Sequence, residues 1–116
     1  MDTRSKIISA AEAAQLKYAS LVHGYFDPLT ADHVRRLQEL AAEGPITILL
    51  DSPQAPLLPA GARAELLAAL NTVKQVIIAD ETQINAASVI DERTSDLLRT
   101  EQLMAHVKQR QNAARD

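Results

Sequence analysis

The sequence predicts an α/β fold, a small parallel sheet with helices on both of its faces. Two observations carry this. Runs of near-continuous apolar residues at 18–22, 46–50 and 76–79, with a shorter one at 88–90, have the pattern of strands buried on both sides. Between them lie segments whose apolar residues recur at helical spacing. Strands alternating with helices make βαβ units, and their strands run parallel. In such a sheet the ligand crevice lies beyond the carboxyl ends of the strands, where the winding reverses. The loop after the first strand, residues 23–30, is therefore the place to look for a site.

Each element has its own warrant. Residues 10–16, rich in alanine, predict a lead-in helix. Residues 30–43 predict a helix with Val34, Leu37, Leu40 and Ala41 on one face and Arg35, Arg36, Gln38 and Glu39 on the other. Gly44 and Pro45 stop it. Thr30 is placed to cap this helix, and Asp32 lies in its first turn, where a carboxylate suits the dipole and pairs with Arg35 or Arg36. Residues 51–61 hold Pro53, Pro56 and Pro59 and read as a rigid crossover loop or as a flap over a ligand. Residues 61–71 predict a helix burying Ala64, Leu67 and Ala68. A last helix, 93–110, carries Leu97, Met104 and Val107 on one face with Leu98 and Leu103 beside them. Thr94 or Ser95 is the expected cap. The polar stretch 108–116 is expected to fray.

Composition narrows the function. The 116 residues suit one domain, read as a lead-in (1–17), a core (18–80) and a short C-terminal part with its helix (81–116). With no cysteine, disulfide scaffolds, cysteine-ligated zinc and cysteine nucleophiles are excluded. Aromatics at 3% argue against base stacking, and a net charge of −3 without a basic stripe argues against binding a nucleic-acid backbone. No apolar run approaches the ~20 residues of a membrane span, and no leader is evident, so a cytoplasmic protein is expected. His23, Asp27, Asp32 and His33 are metal-ligand types, but their spacing matches no metal motif and no metal is expected. His106 stands alone and is expected in solvent.

The stretch from His23 to Leu37, HGYFDPLTADHVRRL, resembles the first signature of the nucleotidyltransferase superfamily. That superfamily contains the cytidylyltransferases and the adenylyltransferase domain of ADP-heptose synthase. The signature reads approximately T-x-G-x-F-D-x-x-H-x-G-H and leads into an amphipathic helix. Gly24, Phe26, Asp27 and His33 fall on its glycine, phenylalanine, aspartate and second histidine. Residues 59–78 resemble the family segment R-A-E-x-L-A-A-L-x-x-V-D-x-V, with Arg63 on its arginine, and residues 6–16 resemble the lead-in helix of the ADP-heptose synthase domain. The likeness spans residues 6–80.

The resemblance implies a Rossmann-like sheet. It also implies transfer of a nucleoside monophosphate from CTP or ATP, with Mg²⁺, to a phosphorylated sugar or alcohol. Gly24, Tyr25, Phe26 and Asp27 would form the nucleotide loop, His33 with Thr30 would lie at the α-phosphate, and Arg63 would touch phosphate. Read from the residues alone, Gly24 suits a tight turn, Phe26 a core anchor, Asp27 a loop held by backbone N–H groups, and Arg63 a surface ion pair. The chain departs from the signature at the chemical positions. Thr30 replaces the first histidine, Asp32 the glycine and Val22 the threonine. A hydroxyl carries no positive charge. A carboxylate ~4 Å from a phosphate repels it by about 4 kcal/mol at an effective dielectric of 20. The lysine-bearing segment of the family is absent, and Arg93, Thr94 and Ser95 are at most a relic of its late phosphate motif. A degenerate domain is expected, at most binding a nucleotide or sugar phosphate. The alternative is a structural or dimerisation module, acting as a homodimer or with a partner protein.

Overall fold

The computed structural model describes residues 2–115. A 3-10 turn at Thr3–Lys6 leads into β1 (Ile7–Ser9), α1 (Ala10–Ala13) and β2 (Lys17–Gly24). There follow α2 (Ala31–Leu40), β3 (Ile46–Leu50), α3 (Ala60–Ala68), β4 (Val73–Ile78), β5 (Asn85–Asp91) and α4 (Arg93–Arg115). All five strands run parallel in the order β1-β4-β3-β2-β5. The expected parallel α/β architecture is present.

The expected lead-in helix differs most. Ile7–Ser9 forms an edge strand on β4, and only Ala10–Ala13 is helical. Ser9 caps that short helix, its side chain accepting the Glu12 N–H. Lys6 donates to the carbonyls of Leu70 and Val73 just beyond α3, ties the amino terminus to the sheet and suits the helix dipole.

The two faces are covered unequally. On one face, α2 and α3 bury Val22, Leu37, Ile48, Leu50, Leu67 and Val76 in the main core, and Phe26 seals its upper end. Ala64, Leu67 and Ala68 are buried as their spacing predicts. The small alanines let α3 lie close to the strands. On the other face, a smaller cluster gathers Ala10, Ala13, Leu21 and Ile77, with Ile8 and Ile84 packed against it.

Parallel strands joined within one sheet normally need a crossover of a dozen or more residues, usually a helix. Here residues 79–84 alone carry the chain from β4 past β3 and β2 to β5. No helix accompanies them. The edge strand β5 is therefore poorly covered, and Val89 and Ile90 are 51% and 37% exposed. The fourth apolar run is a strand, longer than its expected 88–90, but it is not buried on both faces. The face shared along α4 meets solvent. Leu97, Leu98, Met104 and Val107 are all exposed, because α4 rises from the carboxyl edge of the sheet and projects beyond it. Thr94 and Ser95 lie inside that helix and do not cap it; the Asp91 carboxylate accepts the Arg93 N–H instead. The helix continues through residues 108–115, where fraying was expected; Asp116 lies outside the described residues.

Candidate functional site

The winding fixes where a site can be. From β2 the chain moves to β3 and β4 on one side and later returns as β5 on the other. The reversal falls between β2 and β5, whose carboxyl ends are in register at His23 and Asp91. The β2–α2 loop and the first turn of α4 meet there, as the position of a Rossmann-like crevice requires.

Gly24 ends β2 in extended backbone, not in the tight turn expected. Its smallness serves packing. A Cβ there would lie 2.6 Å from Asp96 Oδ2 and 2.7 Å from the Phe26 ring. Phe26 is a buried core residue, as its type suggests, and takes a left-handed backbone with φ of 47°. The successive N–H groups of Tyr25 and Phe26 both donate to Asp96 Oδ2, at 2.8 and 3.3 Å. Convergent backbone N–H groups of this kind form an anion cradle. Asp27 reaches beyond the local turn its type suggests: its carboxylate accepts the N–H groups of Leu57 and Leu58 across the crevice. The proline-rich segment 51–59 is thereby pinned from the β2 side.

Thr30 caps α2, its side chain accepting the His33 N–H while His33 Nδ1 accepts the Thr30 N–H. In the neutral ring the proton then sits on Nε2. That nitrogen lies 3.0 Å from Asp96 Oδ1, in ion-pair range but not aligned for a hydrogen bond. His33 is 1% exposed. Its ring packs 5.4 Å from the ring of Phe26, centre to centre.

Arg63 makes neither an ion pair nor an exposed contact. It is completely buried. Its Nε donates to Leu58 O, its Nη1 to Tyr25 O and Asp51 O, and its Nη2 to Ser52 Oγ. The guanidinium is the keystone of the loops after β2 and β3. Arginine suits this task because its planar fork satisfies several fixed carbonyls at once. With Asp27 it makes segment 51–59 an anchored crossover.

Asp32 lies in the first turn of α2 and meets Arg35 at 3.4 Å, as expected. Its shorter contact is with Arg99 of α4, at 2.9 Å, which holds its carboxyl below the usual range. Arg36 turns instead to Glu92 and Glu39. His23 Nε2 meets Asp51 Oδ2 at 3.0 Å. Burial raises the Asp51 pKa, but the His23 contact and the Ser52 N–H outweigh it and hold the group low. His23, Asp27, Asp32 and His33 thus go to separate partners, and among the described residues no cluster of three metal-ligand side chains forms. His106 is exposed on α4.

The residue that sequence reasoning missed is Asp96. It is 1% exposed. Besides the two backbone N–H groups and His33, Arg99 Nη1 donates to its Oδ1 at 2.9 Å. Thr100, one turn on, donates to the carbonyls of Asp27 and Asp96. Asp96, Arg99 and Thr100, spaced i, i+3, i+4, were the only signal, and that pattern reads equally as a solvated helix face. A largely apolar cavity of about 250 Å³ is lined by Tyr25, Pro53, Leu57, Leu97 and Thr100, among others.

A parallel sheet with its loops gathered at a winding reversal, and a cradle of N–H groups just past the end of β2, defines a Rossmann-like α/β domain. Residues 21–114 match the family model described as cytidylyltransferase-like, and the chain belongs to that family. The match runs through β5 and α4, beyond the 6–80 span of the motif resemblance. No curated protein matches the chain.

Proposed function

We propose that this chain is a catalytically silent cytidylyltransferase-like domain, one that keeps the family's nucleotide loop as architecture and transfers no nucleotidyl group. The observation that supports this most is His33. It is the one histidine left at the signature position, and it is enclosed between Thr30 and Asp96 with almost no exposed surface. A group that stabilises charge on a reacting phosphate must reach it. Thr30 serves as a helix cap, Asp32 adds negative charge held by Arg99, and Arg63 directs its nitrogens at the protein's own oxygens. CTP or ATP with Mg²⁺, and a phosphorylated acceptor, are the ligands the ancestry implies.

The test is thermal unfolding with CTP and ATP, each with and without Mg²⁺, beside an assay for pyrophosphate release in the presence of phosphorylated sugars and alcohols. A ligand at a hundred times its dissociation constant adds about 2.7 kcal/mol of stability. The expected outcome is no release and no such shift. Release above the protein-free rate overturns the reading.

A second reading, a self-associating module, is supported by a separate observation. Val89 and Ile90 on the edge strand, with Leu97, Leu98, Met104 and Val107 on the projecting helix, leave apolar surface on the last two elements.

A further inference from the structure

We propose that Asp96 is a built-in anionic ligand. Its carboxylate fills an anion site made by the Tyr25 and Phe26 N–H groups, the His33 ring and the Arg99 guanidinium, and so keeps that site closed to phosphate groups from solution. The proposal rests on the reading above and adds how the site is held shut.

The geometry is that of a ligand in a site. Oδ2 takes both backbone N–H groups, and Oδ1 takes Arg99 and faces Nε2 of the His33 ring. The donors come from three separate places: the end of β2, the first turn of α2 and the second turn of α4. Each N–H lies past the end of β2 and points at the carboxylate, its one acceptor among the described residues. The left-handed backbone of Phe26 is a conformation that a side-chain-bearing residue adopts at a cost. Gly24 is cut away at the same point, since any Cβ would strike Oδ2. A loop, a glycine, an imidazole and a guanidinium thus converge on one buried negative group.

The charges around the site set what it would accept. Arg99 is shared: its Nε holds Asp32 Oδ2 at 2.9 Å, and Glu92 Oε2 lies 3.9 Å from its Nη1. With Asp96 emptied, one guanidinium and two N–H dipoles face the gap, against two carboxylates on the same guanidinium, Asp32 at Nε and Glu92 beside Nη1. That balance suits a carboxylate or the terminal group of a phosphate at millimolar concentration. It does not suit tight binding of a whole triphosphate.

The test is anion rescue of Asp96→Ala. Removing the side chain strands two N–H groups and a guanidinium, and the melting temperature should fall by about 5–10 °C. Formate or pyrophosphate at ~10 mM should recover at least half of the loss relative to chloride at equal ionic strength, while the natural chain moves by less than about 1 °C. A purely structural Asp96 would give the same fall and no rescue. In Asp96→Asn the amide still fills the space, so that variant should not be rescued. A response to CTP larger than to pyrophosphate supports the proposal with a nucleotide as the source, and an equal response supports it with a free phosphate group. If Asp96→Ala does not fold in chloride, refolding in formate replaces melting as the readout; recovery in formate supports the proposal and recovery in neither salt overturns it. A folded Asp96→Ala chain indifferent to every anion also overturns it. Pyrophosphate release by the natural chain would instead overturn the silent-domain reading, so the two failures are distinguishable.

Discussion

Gly24 and Arg63 carry more of the crevice than their types announce. At Gly24 the constraint is space, since φ is not in the left-handed range and only the contacts at 2.6 and 2.7 Å forbid a side chain. Gly24→Ala should therefore cost about 1–3 kcal/mol by overpacking, read as a lower urea midpoint at unchanged slope. Arg63→Met removes the donors that hold Leu58 O, Tyr25 O and Asp51 O. Stranding several buried carbonyls should cost about 3 kcal/mol or more. Arg63→Lys should recover less than half of that, because an ammonium cannot fork among fixed carbonyls. A lysine variant as stable as the natural chain would show that charge alone is needed there.

The element whose attachment is least ordinary is α4. It is joined to the body by polar contacts in its first turns rather than by an apolar face. Asp96 holds the β2–α2 loop, Arg99 holds Asp32, and Asp91 holds Arg93. The hydrogen bonds from Arg93 pull the Asp91 carboxyl well below its ordinary range, and those from Arg99 pull Asp32 down. A carboxyl whose folded pKa lies below its unfolded one contributes fully above the unfolded value and loses that contribution as pH falls through the depressed one. Unfolded carboxyls titrate near about 4. The melting temperature should therefore be level between about pH 8 and 5 as far as these tethers matter, and fall below about pH 4. A fall already complete at pH 5 would mean that the tethers do not form in solution. The tethers on exposed pairs should also weaken with salt.

At the scale of the whole molecule, the shortened crossover governs the shape. With residues 79–84 too few to form a helix over β5, the edge strand stays bare, and the molecule with α4 measures 56 × 30 × 29 Å. Edge strands without charge or proline are templates for association. β5 bears no charge before Asp91. If the self-associating reading is right, sedimentation equilibrium should give a mass rising with concentration, and Val89→Lys should hold the chain monomeric. A single-chain mass at every concentration would remove that reading.

Much of what near neighbours set was legible in the chain alone, although the extent of the lead-in helix, the turn at Gly24 and the cap of α4 came out otherwise. The 46–50 run is a strand to the residue, Thr30 is a cap, Phe26 is buried, and the glycine-phenylalanine-aspartate loop sits at the winding reversal. These follow from periodicity, capping chemistry and the handedness of βαβ units, all of which act over a few residues. Only the tertiary structure decided the rest. β1 is three residues long and is a strand because β4 lies beside it. The stripe on α4 announced a face but not what the face meets, and it meets solvent. Asp96 reaches Tyr25 across 71 positions of chain, and Arg63 reaches it across 38. Partners so distant in sequence leave no local pattern. The two contacts that close the crevice are for that reason the ones a reading of spacing could not supply.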